Sequence, residues 1–434
     1  MGAQTQIQED LLQFIWKLKF FSSQTALKST EGQAIEIIQA GNYNHNQGPD
    51  FLLAKVKIDE ITWVGNIEIH VRTSHWLQHR HQDDPAYQNV ILHVVYENDL
   101  ATKHPKLPKH CLELKNYISP ELLENYRKLK SASQGIACSG SINSVDKIYI
   151  SDQLERMLAE RWQQKVRRMQ LDLKEHLQDW EELLYKKISQ YLVTPVNVDA
   201  MNILSSLVPR KLLLKQSGHL FQMEALLLGA AGFLETEEDA GSYLLELKSE
   251  YQFLRQKFDL QSMNPSEWKF LRMRPAHFPT IRIAQIAALI CHHPQLFSEI
   301  LQAKSLEELR LLFKNSVSDF WKHHFSFKKK GTDHAHEQIG KNTIEILLIN
   351  AVFPLIYCYG FYNSKEELCD LAMEWARGLK AESNKFTNEF TDYGFTINSS
   401  ADSQAVIQLK TNYCNSKKCL QCSIGTQLMK KSHI

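Results

Sequence analysis

The feature that most constrains the fold is a change in hydrophobic period near residue 116. Before it, apolar residues fall at every second position: Leu52, Ala54, Val56 and Ile58 alternate with Leu53, Lys55 and Lys57, as in a strand with one buried face. Beyond Pro120 the spacing becomes three and four over residues 151–175, 180–192, 222–233, 281–291, 343–359 and 365–379, as in amphipathic helices. A chain of 434 residues exceeds one ordinary core, and the helices follow no fixed-period repeat that would make a solenoid. The expected fold class is α+β: a small mixed sheet domain over residues 1–115, a large all-helical domain over 116–383, and a turn-rich segment over 384–434.

Within the first domain, Leu11, Leu12, Phe14, Ile15, Leu18 and Phe21 have helical spacing. A short strand is expected at 34–38, and the Asn-, Gly- and Pro-rich run 42–50 reads as a loop. Residues 51–58 and 63–71 then form a hairpin around Asp59 and Glu60. After a polar helical stretch over 74–87, residues 90–95 are apolar on both faces, as in an interior strand. The order is helix, three strands, helix, strand, and open sheets carry their sites at strand ends.

The chemistry-bearing residues collect in the same stretch. Phosphodiester hydrolysis calls for a divalent cation that stabilises phosphate charge and makes a water nucleophilic, and hard cations take oxygen ligands. Asp50 at a strand start and Glu68 in the paired strand supply two carboxylates, with the Ile69 carbonyl as a third oxygen. Period two places Asn66, Glu68 and His70 on one face, opposite Gly65, Ile67, Ile69 and Val71. His93 interrupts an apolar strand and is a candidate to sit beside Glu68 and His70. His79, His81 and Asp84 lie just downstream, so His70, His79, His81, Asp84 and His93 also form a candidate site for a hydrolase using zinc or another transition metal. A solvated polar pair on a sheet face is the plainer use of Glu68 and His70.

Pro49-Asp50 followed by Glu68-x-His70, in this strand order, resembles the PD-(D/E)xK nuclease superfamily over roughly the first quarter of the chain. The resemblance implies Mg²⁺ or Mn²⁺ held by Asp50 and Glu68, with Glu9 as a further acidic group, and cleavage of DNA or RNA. His70 stands where that superfamily has a lysine that orients or activates the water; a neutral imidazole accepts a proton or joins the metal but lacks fixed positive charge. Lys55 and Lys57 are the lysines of the paired strand. The rival expectation is a nucleic-acid-binding or scaffold protein that keeps the nuclease-like fold without catalysis. Residues 66–71, 89–96, 272–285 and 413–425 further resemble an uncharacterised bacterial family of unknown function, which implies no activity.

In the helical region, Arg272, Arg274 and Arg282 surround a two-proline turn and are candidates to clamp nucleic-acid phosphates. Arg161, Lys165, Arg167 and Arg168, with Trp162, would extend that surface; capping and ion pairing are the other uses of such arginines. Gly340-Lys341-Asn342-Thr343 lacks the earlier glycine and the preceding strand of a phosphate loop. Cys414, Cys419 and Cys422 give Cys-x4-Cys-x2-Cys, compatible with zinc or an iron–sulfur cluster, and Cys138 is the expected fourth ligand. Some PD-(D/E)xK nucleases resemble this arrangement, with a cluster on one upstream and three C-terminal cysteines, usually at another spacing.

Lys and Arg number 50 against 49 Asp and Glu, so any nucleic-acid surface must be local. No apolar run reaches the roughly 18–20 residues of a bilayer span, and the N-terminus is not leader-like. A cytoplasmic protein without membrane contact is expected, a setting in which clustered cysteines favour metal over disulfides.

Overall fold

The structure is a computed structural model that describes residues 7–21, 26–100, 102, 104–131, 135–175, 178–235, 241–331 and 337–430. The fold is mixed α+β, and the chain divides into two compact units: residues 1–157, 383–397 and 405–434 form one, residues 158–382 and 398–404 the other.

The first unit carries a mixed seven-stranded sheet. Its strands are β1 (Leu27–Lys28), β2 (Ala34–Gln39), β3 (Asn42–Tyr43), β4 (Phe51–Ile58), β5 (Ile61–Arg72), β6 (Val90–Glu97) and β7 (Cys111–Glu113). They lie in the order β1-β2-β4-β5-β6-β7, with β3 paired to β4. Pairing is antiparallel up to β5 and parallel from β5 through β6 to β7. The expected meander and interior strand are present; the added strands are two or three residues long, too short to show a period.

Helix α1 (Glu9–Leu18) presents Leu11, Leu12, Ile15 and Trp16 to a core shared with Val56, Ile58, Ile67, Ile69, Leu92 and Val94 of the sheet. Burying each such side chain contributes roughly 1.5–3 kcal/mol, and a one-residue slip would turn a whole strand's apolar set outward. One irregularity decides where Asp50 points. Phe51 pairs with Ile67 but Ala54 pairs with Gly65, a one-residue shift in register. Leu53 there is left-handed (φ 57) and exposed, and its N–H donates to Asn66 Oδ1 at 3.3 Å. This bulge inverts the alternation: Phe51, not Leu52, joins Ala54, Val56 and Ile58 in the core. Strict period two from Ala54 would put Asp50 on that apolar face; the extra residue turns it to the face of Glu68 and His70.

The sheet unit reaches past residue 116. Helix α3 (Pro120–Ser131) adds Leu122, Tyr126 and Leu129 to the sheet core, and Met429 joins them. The change of period thus marks a change of element, and a helix packed on a sheet shares the sheet's core. The segment expected to be turn-rich contains helices Lys385–Asp392, Ser400–Gln408 and Ser423–Lys430, of eight or nine residues. Barely two turns each leave little period to read, although Asn384 and Thr387 form a capping box at the start of the first.

The second unit is helical. Residues Lys341–Tyr362 run as one 22-residue helical span, long and apolar enough by length and composition to cross a membrane, with 67% of its apolar window buried inside the protein. That corrects the expectation of no such run. Lys341, Asn342, Thr343, Glu345 and Asn350 interrupt its apolar sequence, and its burial is that of a core helix.

Candidate metal centre

Asp50 and Glu68 meet across the β4–β5 pair. The Asp50 N–H donates to Glu68 Oε2 at 3.2 Å, and Asp50 Oδ2 accepts the Ile69 N–H at 2.9 Å, so Ile69 reaches this carboxylate through its N–H. Gln13 of α1 donates to Asp50 Oδ1 at 2.8 Å. Asn44 fixes the preceding loop by donating to the Gln47 and Pro49 carbonyls.

The parallel step from β5 to β6 needs a crossover, and that link brings the histidines. Helix α2 (His75–Gln78) is anchored at Ser74, whose N–H and hydroxyl donate to Asp99. Trp76 Nε1 donates to the Lys106 carbonyl at 3.1 Å. Arg80 is left-handed (φ 60), reversing the chain between His79 and His81. Ligand atoms of His70, His79 and His81 consequently all lie within 4.8 Å of one another. Glu68 Oε1 is 3.4 Å from both His70 Nε2 and His81 Nε2. His70 stacks on His81 with ring centres 5.2 Å apart, and His81 stacks on Tyr87 at 3.8 Å. His70 is buried, His81 half-buried and His79 exposed, so the cluster opens to solvent on one side.

His93 is fully buried and pairs in register with Glu68. Its Nε2 lies 2.9 Å from His70 Nδ1, while its Nδ1 is buried without a hydrogen-bond partner among the described residues. It also lines a cavity of about 200 Å³ with Thr73, Asn98 and Cys111. The expectation that His93 sits beside Glu68 and His70 holds, but it stands behind His70, outside the three-histidine group. Asp84 is not in that group either: its carboxylate caps the turn Pro85–Tyr87 by accepting the Ala86 N–H.

Burial pushes the Glu68 carboxyl up to about 9, with repulsion from Asp50 adding to it. Burial likewise lifts Asp50 to about 6, and Glu9 adds to the rise. Burial, then the neighbouring histidines, hold His70 far below the usual imidazole range, and His93 is held low for the same reasons. Two carboxyls that resist ionising beside imidazoles that stay neutral are a donor set that could hold a cation. Its charge lets the carboxylates ionise, and neutral imidazole is the ligand form.

Glu9 Oε1 lies 3.7 Å from His75 Nδ1. His75, Gln13 and Tyr87 escape sequence reasoning; His75 and His79, four apart on a helical turn, carried the one readable signal. Lys55 and Lys57 share Glu68's face of the sheet but pair with Val64 and Thr62, and Lys57 reaches Glu60 at 3.3 Å. Val64 is four residues from Glu68, about 13 Å along a strand, so neither lysine supplies the missing charge.

The basic residues of the helical unit divide between exposed and internally bonded positions, with Arg167 and Arg168 exposed. Arg282 is buried, donating to Gln285 Oε1 at 2.8 Å and lying 2.9 Å from His277 Nδ1. Burial pulls its guanidinium down to about 10, and it lines a cavity of about 540 Å³ with Tyr191, Thr194, His277 and Thr343. Arg272 and Arg274 are exposed. Trp162 is buried against Tyr357, Arg161 donates to Gln404, and Lys165 reaches the Ile349 carbonyl and Asn350 Oδ1. Arg161 and Lys165 are half-buried on their helix. The four predicted cysteine ligands, by contrast, do come together: Cys138, Cys414, Cys419 and Cys422 line one small cavity in the sheet unit.

Comparison with curated proteins gives no match, and neither does comparison with solved structures. The family model described as a protein of unknown function (DUF2851) matches residues 9–385, ending before the cysteines at 414–422. By that match over most of its length, the chain belongs to the DUF2851 family.

Proposed function

We propose that the sheet unit is a metal-dependent nuclease, hydrolysing phosphodiester bonds of DNA or RNA with a cation held by Asp50, Glu68, His70, His79 and His81. The observation that carries this reading is the convergence of Glu68 with three histidines on the face to which the β4 bulge turns Asp50. An antiparallel meander leading through a helical crossover into a parallel strand also agrees with the PD-(D/E)xK resemblance. Mg²⁺ or Mn²⁺ is the ion that resemblance implies; the imidazoles favour Mn²⁺, or zinc, over Mg²⁺.

When bound, such an ion stabilises charge on the phosphate and makes a water acidic enough to attack it. Asp50 and Glu68 anchor the ion, and Gln13 and the Ile69 N–H hold Asp50 in place. His70, kept neutral by burial, takes a ligand's part in place of the lysine's charge. Exposed Arg80, next to His79 in sequence, would meet a phosphate. A non-catalytic scaffold is the weaker reading, because Arg161, Lys165 and Arg282 are occupied inside the helical unit.

The test is incubation of single- and double-stranded DNA and RNA with the full chain and Mn²⁺, Mg²⁺ or Zn²⁺. Ion-dependent cleavage that disappears in Asp50→Ala and Glu68→Ala supports the reading. Cleavage retained by both variants, or absent with all three ions, contradicts it.

A further inference from the structure

The four cysteines reach their common cavity from two distant parts of the sequence. Cys138 precedes the 3-10 helical stretch Ser139–Ser144, while Cys414 ends the π-helical stretch Leu409–Cys414. Cys419 opens the turn Cys419–Gln421, and Cys422 immediately precedes the helix Ser423–Lys430. The cavity they line measures about 20 Å³, room for roughly one water-sized body. All eight cysteines are free thiols.

We propose that Cys138, Cys414, Cys419 and Cys422 bind one zinc ion through four thiolates, and that this ion clamps the C-terminal segment onto the sheet core. Four cysteines lining one small, partly open pocket supply the donor set of structural zinc, and the cavity is scaled to a single ion rather than to a cluster of several iron and sulfur atoms. The backbone around the cysteines is arranged for thiolate sulfur. The N–H groups of Ile424 and Gly425, in the first turn of the helix, donate to Cys422. A Cβ on Gly425 would lie 2.1 Å from the Cys419 carbonyl oxygen, so only glycine lets that helix start close over the site.

Zinc with four thiolates carries a net charge of about −2, and cations surround the site. Burial raises these thiols, and against that rise Lys130 and Lys417 favour the thiolate of Cys419, Lys410 that of Cys414, and Arg156 that of Cys422. Arg156 also donates to the Gln421 carbonyl at 2.5 Å, and Lys417 to the Lys130 carbonyl. Mechanically, Cys138 belongs to the stretch that follows α3, and the other three lie just before Met429, which is buried in the sheet core. One ion thus ties together segments whose ligands the chain separates by the whole helical unit, and its binding energy becomes folding energy.

This site does not rest on the nuclease reading, and X-ray absorption separates the two. On full-length protein purified without added metal, zinc-edge fine structure is expected to show four sulfur neighbours at about 2.3 Å, against about 2.0–2.1 Å for imidazole nitrogen. His79→Ala with His81→Ala is expected to leave that sulfur shell intact. Cys414→Ser is expected to abolish it and to make the segment after Tyr413 sensitive to limited proteolysis, as is strong chelation of the unmutated protein. A nitrogen and oxygen shell alone, iron with acid-labile sulfide, or a four-sulfur shell that survives Cys414→Ser would each overturn the proposal.

Discussion

His70 Nδ1 and His93 Nε2 lie 2.9 Å apart inside the sheet unit, with His93 fully buried. One nitrogen of the pair must carry the proton, so each ring fixes the other's tautomer. When His70 donates through Nδ1, its Nε2, 3.4 Å from Glu68 Oε1, keeps a lone pair for a cation. His93 is therefore a positioning residue. His93→Ala is expected to weaken Mn²⁺ binding roughly 10–100-fold in calorimetric titration, and His93→Gln, which retains an acceptor, to recover part of that loss. Equal affinity in all three proteins would contradict this role.

The three-histidine group and Asp84 are separable. His79→Ala and His81→Ala are expected to lose bound metal, because their rings belong to the cluster. Asp84→Ala is expected to retain it and to cost only about 1 kcal/mol in chemical denaturation, since its carboxylate caps a turn. Metal loss in Asp84→Ala with retention in the histidine variants would reverse the assignment.

The β4 bulge carries a measurable strain. Leu53 is exposed and left-handed, a conformation that costs a non-glycine residue roughly 1 kcal/mol. Leu53→Gly is expected to raise the denaturation midpoint by an amount worth roughly 0.5–1 kcal/mol, and Leu53→Val to lower it. Deletion of Leu53 would remove the extra residue while keeping Phe51 opposite Ile67 and Asp50 on the face of Glu68, so the shortened protein is expected to retain metal binding. Loss of binding there would contradict the bulge assignment.

In the helical unit, Glu224 accepts hydrogen bonds from Tyr243 and Ser318, yet burial dominates and lifts its carboxyl from 4.5 to about 7. The folded state thus holds a proton that the unfolded chain gives up. This contribution to stability is fully present below pH 4.5 and is lost as pH rises to about 7. Its size is on the order of 3 kcal/mol at most. Glu224→Gln is expected to flatten the fall in denaturant stability across that window, leaving the variant more stable than the unmodified protein above pH 7. Parallel pH profiles would contradict this.

Much of this architecture was legible because period two and period 3.6 leave different marks: the β4–β5 hairpin, the strand holding His93 and the helices beyond Pro120 all follow from spacing. The meeting of Glu68 with His70 follows from parity alone. Asp50's orientation does not, because it depends on a bulge whose one extra residue, Leu53, has no unusual composition to announce it. Cys138 lines the same cavity as Cys414, Cys419 and Cys422, as its place in the linker after the sheet strands leads one to expect. Arg161, Lys165 and Arg282 show the opposite limit, where a basic face with helical spacing reads alike whether solvent or a buried carbonyl and amide receives its charge. The rings of His79 and His81 meet His70 only through the reversal at Arg80, a backbone angle that side-chain periodicity does not encode.

The central claim is that Glu68 and the three histidines surround a cation. The most direct measurement is anomalous scattering from a crystal of the full chain equilibrated with Mn²⁺. The account expects one strong peak about 2.0–2.2 Å from a Glu68 oxygen and from nitrogens of His70, His79 and His81, absent in Glu68→Gln. No peak at this position, with Glu68 hydrogen-bonded directly to His70 or His81, would contradict it.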